Sequence, residues 1–182
     1  MTPAAATRTS GAAPALRRLY FVRFGFAVVW AGLLALTGSD LSVAAGVLLV
    51  LYPLFDVGAA VVDARSSRTR ELVLNMVLSA LAAVGLAVAA ASGIPAVLRV
   101  WGAWAVLAGA VQLVVALRRR RLGGQWPMIL SGGISVLAGA SFIASAGRDD
   151  ASLTNLAGYA VLGGVFFLIS AIRLGPAAGG HE

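Results

Sequence analysis

The chain has 182 residues, of which 60% are hydrophobic and only 12% are charged, and its formal net charge is +7. A water-soluble domain of this length needs more polar surface than so few charges provide, so the composition favours a lipid bilayer as the main solvent. All 14 basic residues are arginines that lie beside or between apolar runs. This placement favours a role in membrane topology and excludes nucleic acid as the expected partner.

Six apolar runs follow one another along the chain, each about long enough to cross roughly 30 Å of hydrocarbon. Because a backbone in lipid must satisfy its own hydrogen bonds, we expect each run to form a helix. The first run is longer than the apolar part of a signal peptide and contains Arg23, so we interpret it as an uncleaved membrane helix. The runs cover residues 19–37, 41–62, 72–91, 94–117, 126–146 and 153–174.

The two ends of the chain differ in composition from this apolar domain, which is predicted to span residues 19–174. Residues 1–18 are rich in Ala, Thr, Pro, Ser and Gly, a composition typical of disorder. We expect them to form a disordered cytoplasmic tail, and residues 175–182 to form a second cytoplasmic tail.

The arginines are distributed unequally between the two sides of the predicted membrane domain. If the N-terminus is cytoplasmic, eleven arginines lie inside, whereas the outer turns hold only Arg148. Positively charged loops stay in the cytoplasm, so both termini are predicted to lie there, with the arginines against anionic headgroups. The richness in Ala, Gly, Val and Arg is typical of a GC-rich bacterial genome, which predicts a multi-pass protein of the bacterial cytoplasmic membrane. The eleven are Arg8, Arg17, Arg18, Arg65, Arg68, Arg70, Arg118, Arg119, Arg120, Arg121 and Arg173.

The chain also shows internal similarity with a period of about 54 residues. Residues 104–118 and 159–173 are identical at seven of 15 positions, and Gly32, Gly85 and Gly139 recur at intervals of 53 and 54. This pattern predicts an all-α membrane protein of three repeated helical hairpins, at residues 19–62, 72–117 and 126–174. Small residues four apart, such as Ala105 and Gly109, would let the helices approach closely in lipid.

Two charged residues lie inside the first predicted hairpin. Arg23 comes 14 residues before Thr37, and Asp56 comes 15 residues after Leu41. In an antiparallel hairpin they lie at nearly the same depth, so we predict an ion pair. The polar side chains that would extend this pair into a layer at that depth are Asn75 and Gln112. Such a layer is either a relay or substrate site, or a paired charge that sets the helix register.

A second group of charges is predicted at the outer ends of the helices. Arg99 lies near the outer end of the fourth helix, and its candidate partners in the outer turns are Asp40, Asp149 and Asp150. A free aspartate titrates near pH 4, so strong acid could neutralise this cluster. The alternative interpretation is that these residues are solvated turn residues.

Few residues could support catalysis or metal binding. The sequence has no cysteine, and its one histidine, His181, is the penultimate residue. We found no phosphate-binding glycine loop, no histidine cluster and no Ser/His/Asp set. The sequence therefore predicts a protein that is not an enzyme and has no catalytic, metal or cofactor site.

The segment 101–174 resembles the HdeD-like family of bacterial membrane proteins, which are built from short two-helix repeats. The resemblance rests on WGAWAVLAGAVQLVVALRRRR, QWPMILSGGISVLAGASFI and LAGYAVLGGVFFLISAIRL, and more loosely on YPLFDVGAAVVDAR in the first hairpin. It implies a six-helix fold and a role in acid or envelope stress resistance, but no catalytic residues.

The alternative function is that of a small-solute, ion or proton transporter or channel that uses the layer around Arg23 and Asp56. Rows of small residues would also permit a homo-oligomer or an unidentified membrane partner.

Overall fold

The computed structural model describes residues 3–38, 40–65, 68–118, 120–122 and 125–174, and in residues 3–13 and 122 the backbone alone. Within these ranges the chain is all-helical and contains no strand, which confirms the predicted fold class. Six α-helices follow in order, with a short 3-10 turn between the fourth and the fifth. They are α1 Pro3–Thr37, α2 Val43–Ala64, α3 Arg70–Ala90, α4 Ile94–Arg118, α5 Trp126–Ser145 and α6 Thr154–Arg173, and the turn is Arg120–Leu122.

The predicted membrane spans agree with the observed helices to within two residues, except at the start of α1. All six described helices are long and apolar enough to cross a membrane, so the chain is a multi-pass membrane protein. The prediction of a disordered tail needs correction, because α1 begins at Pro3. Alanine has the highest helix propensity, and six alanines in residues 4–15 favour this extension. Residues 175–182 and Arg119 lie outside the described residues.

Two of the helices begin with an ordinary side-chain cap. The hydroxyl groups of Ser42 and Thr69 accept hydrogen bonds from the backbone amides at the starts of α2 and α3, each at 3.2 Å. Gly93, with φ of +93°, makes the turn from α3 to α4. Such a positive φ suits glycine because it has no Cβ. These short turns make successive helices antiparallel.

The helices form a ring in which each one contacts its neighbours in the chain and α6 returns to α1. The closest packing lies between predicted hairpins, at the α2–α3, α4–α5 and α6–α1 seams. Packing within each hairpin is looser. This alternation occurs three times around the ring, as a threefold repeat of hairpins requires.

The α4–α5 seam is closed by paired glycines. A methyl group added to Gly102 would lie 2.5 Å from the carbonyl oxygen of Gly139, and one added to Gly109 would lie 2.8 Å from that of Gly132. Contacts this short exclude any side chain at these positions without a backbone shift. The glycines therefore allow the two backbones to touch, as small residues do in membrane bundles.

Aromatic rings fill the looser seams within the first and third hairpins. Phe26 of α1 stacks on Phe55 of α2 with 3.7 Å between ring centroids, and Phe142 of α5 contacts Tyr159 of α6 at 5.7 Å. Trp101 is fully buried and Trp104 is half-buried. The outer surface is apolar, with exposed valines or leucines on every long helix, as expected where lipid is the solvent.

Candidate functional site

The predicted ion pair between Arg23 and Asp56 is present. Arg23 Nη2 donates a hydrogen bond to Asp56 Oδ1, and each side chain is 13% exposed. The pair joins α1 to α2 because the two residues are nearly equidistant from the turn that connects these helices. A charge at this depth is costly in lipid unless it is paired, and here each charge neutralises the other.

The second carboxylate oxygen of Asp56 is held by α3. Asn75 Nδ2 and Ser79 Oγ each donate to Asp56 Oδ2 at 2.8 Å. These two residues are four positions apart, so they lie on the same face of α3. Asp56 therefore accepts three hydrogen bonds from side chains of two neighbouring helices.

The network continues to α4 and meets α6. Trp104 Nε1 donates to Ser79 Oγ at 3.2 Å, and Ser79 is the fully buried polar side chain of the described core. The guanidinium carbon of Arg23 lies 4.3 Å from the ring centroid of Phe167, within the range of a cation–π contact. We call Arg23, Asp56, Asn75, Ser79 and Trp104 the polar network.

An aromatic cluster lies beside the polar network, toward the end of the bundle where α1 meets α2. Trp30 and Trp101 stack at 5.3 Å between ring centroids, and Tyr52 contacts both, at 4.7 and 5.5 Å. Trp30 Nε1 donates to the carbonyl oxygen of Leu48 at 2.6 Å. These rings fill the centre of the bundle on that side of Asp56, so the polar network adjoins packed apolar material there.

Gln112 does not belong to the polar network. Its Nε2 atom donates to the carbonyl oxygen of Met128 on α5 at 3.3 Å. Gln112 is three residues after Gly109 and so lies on the α4 face that packs against α5. The expectation that it would join Arg23 and Asp56 is wrong, because a common depth does not imply a common helix face.

The outer charges do not assemble into the predicted cluster. In the described part of the chain, Arg99 makes no ion pair with Asp40, Asp149 or Asp150, and all four are exposed. Asp150 instead pairs with Arg148, two residues away, at 3.1 Å. The interpretation as solvated turn residues fits this arrangement.

Two open grooves, of about 550 and 470 Å³, lie on the outside of the bundle, and neither is lined by a residue of the polar network. The larger one is apolar and lies between α2 and α3. The smaller one lies along the start of α3 and contains two arginines. Within the described residues, no group of three His, Cys, Asp or Glu side chains is placed to hold a metal ion.

Sequence reasoning missed three members or neighbours of the site: Ser79, Trp104 and Phe167. Ser79 could have been found, because it lies one helical turn after Asn75. Trp104 was harder to find, since a tryptophan in the outer half of a membrane helix can also be explained by contact with the membrane interface. The contact with Phe167 depends on α6 closing the ring against α1, which hydropathy does not predict.

Comparisons of the chain with protein-family models, with curated proteins and with solved structures found no match. The resemblance to the HdeD-like family therefore stays a prediction.

Proposed function

We propose that this multi-pass membrane protein is not an enzyme and that it supports acid or envelope stress resistance in the bacterial cytoplasmic membrane. The resemblance to the HdeD-like family motivates this role. The observation that favours a structural mechanism is the saturated state of Asp56, whose carboxylate is paired with Arg23, Asn75 and Ser79. A charge held in this way stabilises the packing of the helices around it.

The energetics of the polar network support this interpretation. Removing one partner of a buried ion pair costs about 3–5 kcal/mol, because the other charge is left uncompensated. A proton that moved onto Asp56 would have to weaken its bond with Arg23 and would meet the aromatic cluster beside it. A relay normally keeps a group available for the next transfer, whereas here the donors converge on one carboxylate.

The packing of the helices also supports a structural role. The three seams between hairpins are closely packed, and aromatic rings occupy the space within the first and third hairpins. The two grooves on the outside of the bundle are not lined by any residue of the polar network. A closed bundle with an apolar exterior suits a protein that acts on the bilayer or on membrane partners.

The test is survival in acid. A strain that lacks the gene, compared with the same strain carrying the wild-type gene, is expected to lose viability after exposure to strong acid. Membrane potential and growth at neutral pH serve as controls, because a general membrane defect would alter them as well. Equal survival of the two strains would contradict the proposed role.

One observation favours a second candidate, a proton or small-solute transporter. Asp56 is an intramembrane carboxylate, and such groups often mark ion pathways. The predicted hairpins repeat in parallel, however, and many secondary transporters contain inverted repeats. Liposomes that contain the purified protein and a pH-sensitive dye separate the candidates. Proton flux that disappears in Asp56→Asn would establish transport, whereas flux no faster than in empty liposomes supports the structural role.

A further inference from the structure

The smaller groove combines positive charge with an apolar wall. It has a volume of about 470 Å³ and is lined by Arg68, Thr69, Arg70, Val73, Leu74 and Val77. The two arginines are exposed at the end of the bundle that holds most of the chain's arginines, which we call the arginine-rich end. Each of the three apolar side chains is nearly half exposed.

The charged and the apolar residues of the groove lie at different depths along the bundle. Val73, Leu74 and Val77 follow Arg70 by three, four and seven positions, so all four lie on one helix face. At 1.5 Å per residue, that face runs about 10 Å from the arginine toward the membrane centre. When α3 spans a membrane, this order puts the guanidinium groups toward the headgroups and the apolar wall toward the hydrocarbon.

We propose that this groove is a binding site for one anionic phospholipid of the leaflet at the arginine-rich end. Arg68 and Arg70 would bind the headgroup phosphate, and Val73, Leu74 and Val77 would pack against an acyl chain. Arginine suits this role because its guanidinium matches phosphate geometry. The proposal depends only on the membrane location of the chain and not on the stress role.

Of the residues that line the groove, only the two arginines carry a charge. The Thr69 hydroxyl already accepts from the backbone amide of Leu72. Glu71, the acid in the same turn, does not line the groove. The larger groove offers no such charge, since its lining is apolar apart from Ser42. An anionic amphiphile thus complements the smaller groove in both charge and depth.

Native mass spectrometry of the purified protein tests the proposal. The protein in detergent is mixed with equal amounts of phosphatidylglycerol and phosphatidylcholine, and the first bound lipid is identified. We expect the wild type to retain phosphatidylglycerol preferentially. In the double variant Arg68→Gln/Arg70→Gln, the preference should fall roughly tenfold to thirtyfold, the scale expected for two arginines near a membrane surface.

The matched control is Arg120→Gln/Arg121→Gln, which removes two exposed arginines from the same end of the bundle. It should keep the wild-type preference, and unchanged melting temperatures will show that both double variants are folded. An equal loss in the two double variants would mean diffuse charge attraction and would overturn the proposal. A wild type without preference for phosphatidylglycerol would also overturn it.

A third arm separates a lipid site from a simple anion site. Millimolar inorganic phosphate or glycerol phosphate should leave the bound phosphatidylglycerol in place, because neither carries an acyl chain. The variant Leu74→Ser/Val77→Ser should weaken lipid retention while the arginines remain. Displacement by inorganic phosphate, together with an unaffected Leu74→Ser/Val77→Ser variant, would assign the groove to free phosphate and would contradict the lipid proposal.

Discussion

The α2–α3 and α4–α5 seams occupy equivalent places in the ring but are built from different chemistry. Asp56 lies nine residues before Arg65, just as Gly109 lies nine residues before Arg118. The repeat therefore places a carboxylate in the first hairpin where the second has a glycine. The third hairpin agrees with the second, because Gly164 lies nine residues before Arg173.

The helices at the two seams are held together in lipid by different interactions. At Gly109 the backbones of α4 and α5 touch, and dispersion contacts hold them together. At Asp56 the carboxylate lies between α2 and α3 and is bridged by Asn75 and Ser79. The Asp56 carboxylate needs a counter-charge, which Arg23 supplies from α1. The first hairpin thus has, in place of a backbone contact, a network that connects four helices.

The largest expected effect is loss of one charge of the pair. Asp56→Leu leaves Arg23 uncompensated and should lower the free energy of unfolding by about 3–5 kcal/mol. The double variant Arg23→Met/Asp56→Leu removes both charges and should recover most of this loss. Unfolding by SDS in mixed micelles measures both values. A double variant as unstable as Asp56→Leu would show that the charges are not coupled.

The next effect concerns the glycine seam. In Gly139→Ala the new methyl group would lie 2.5 Å from the carbonyl oxygen of Gly102, and such overpacking should cost about 1–3 kcal/mol. Gly133→Ala on the same helix is the matched control, because a methyl group there has no neighbour within 4 Å. It should be neutral or slightly stabilising in SDS unfolding, since alanine favours the helix. Equal costs in the two variants would argue against backbone contact at this seam.

A smaller effect is expected for Ser79→Ala. The change removes one hydrogen bond to Asp56 and leaves the indole N–H of Trp104 unpaired, which should cost about 1 kcal/mol. Ser141→Ala is the control, because that exposed hydroxyl donates to the carbonyl oxygen of Ala138 within its own helix. Thermal melting in detergent compares the two variants. If both shift the melting temperature equally, Ser79 contributes no more than an isolated serine.

The smallest effect is expected outside the seams. Arg148 and Asp150 form a largely exposed pair at 3.1 Å, and exposed pairs contribute between about 0 and 1 kcal/mol. Arg148→Gln should therefore lower the melting temperature only slightly, and 1 M salt should abolish the difference from wild type. A large, salt-resistant loss would place this pair among the structural interactions of the bundle.

Depth along the membrane could be predicted from the sequence, whereas orientation around each helix could not. Hydropathy located the six spans, and distance from a turn placed Arg23 opposite Asp56. The same reasoning placed Gln112 at that depth but on the wrong face, because it carries no information about which neighbour α4 packs against. Ser79 was missed, although it lies one helical turn after Asn75, because a lone serine in an apolar helix was given no weight. The extension of α1 to Pro3 was missed because tail composition was weighed above alanine's helix propensity.

The central claim is that the Arg23–Asp56 pair stabilises the bundle and does not carry protons. Its most direct test is acid survival of a deletion strain that carries Arg23→Met/Asp56→Leu, in an assay where the wild-type gene restores survival. With equal amounts of protein in the membrane, the strain with the double variant should survive as well as the strain with the wild type. Survival no better than that of the deletion strain, from a folded and abundant double variant, would contradict the claim.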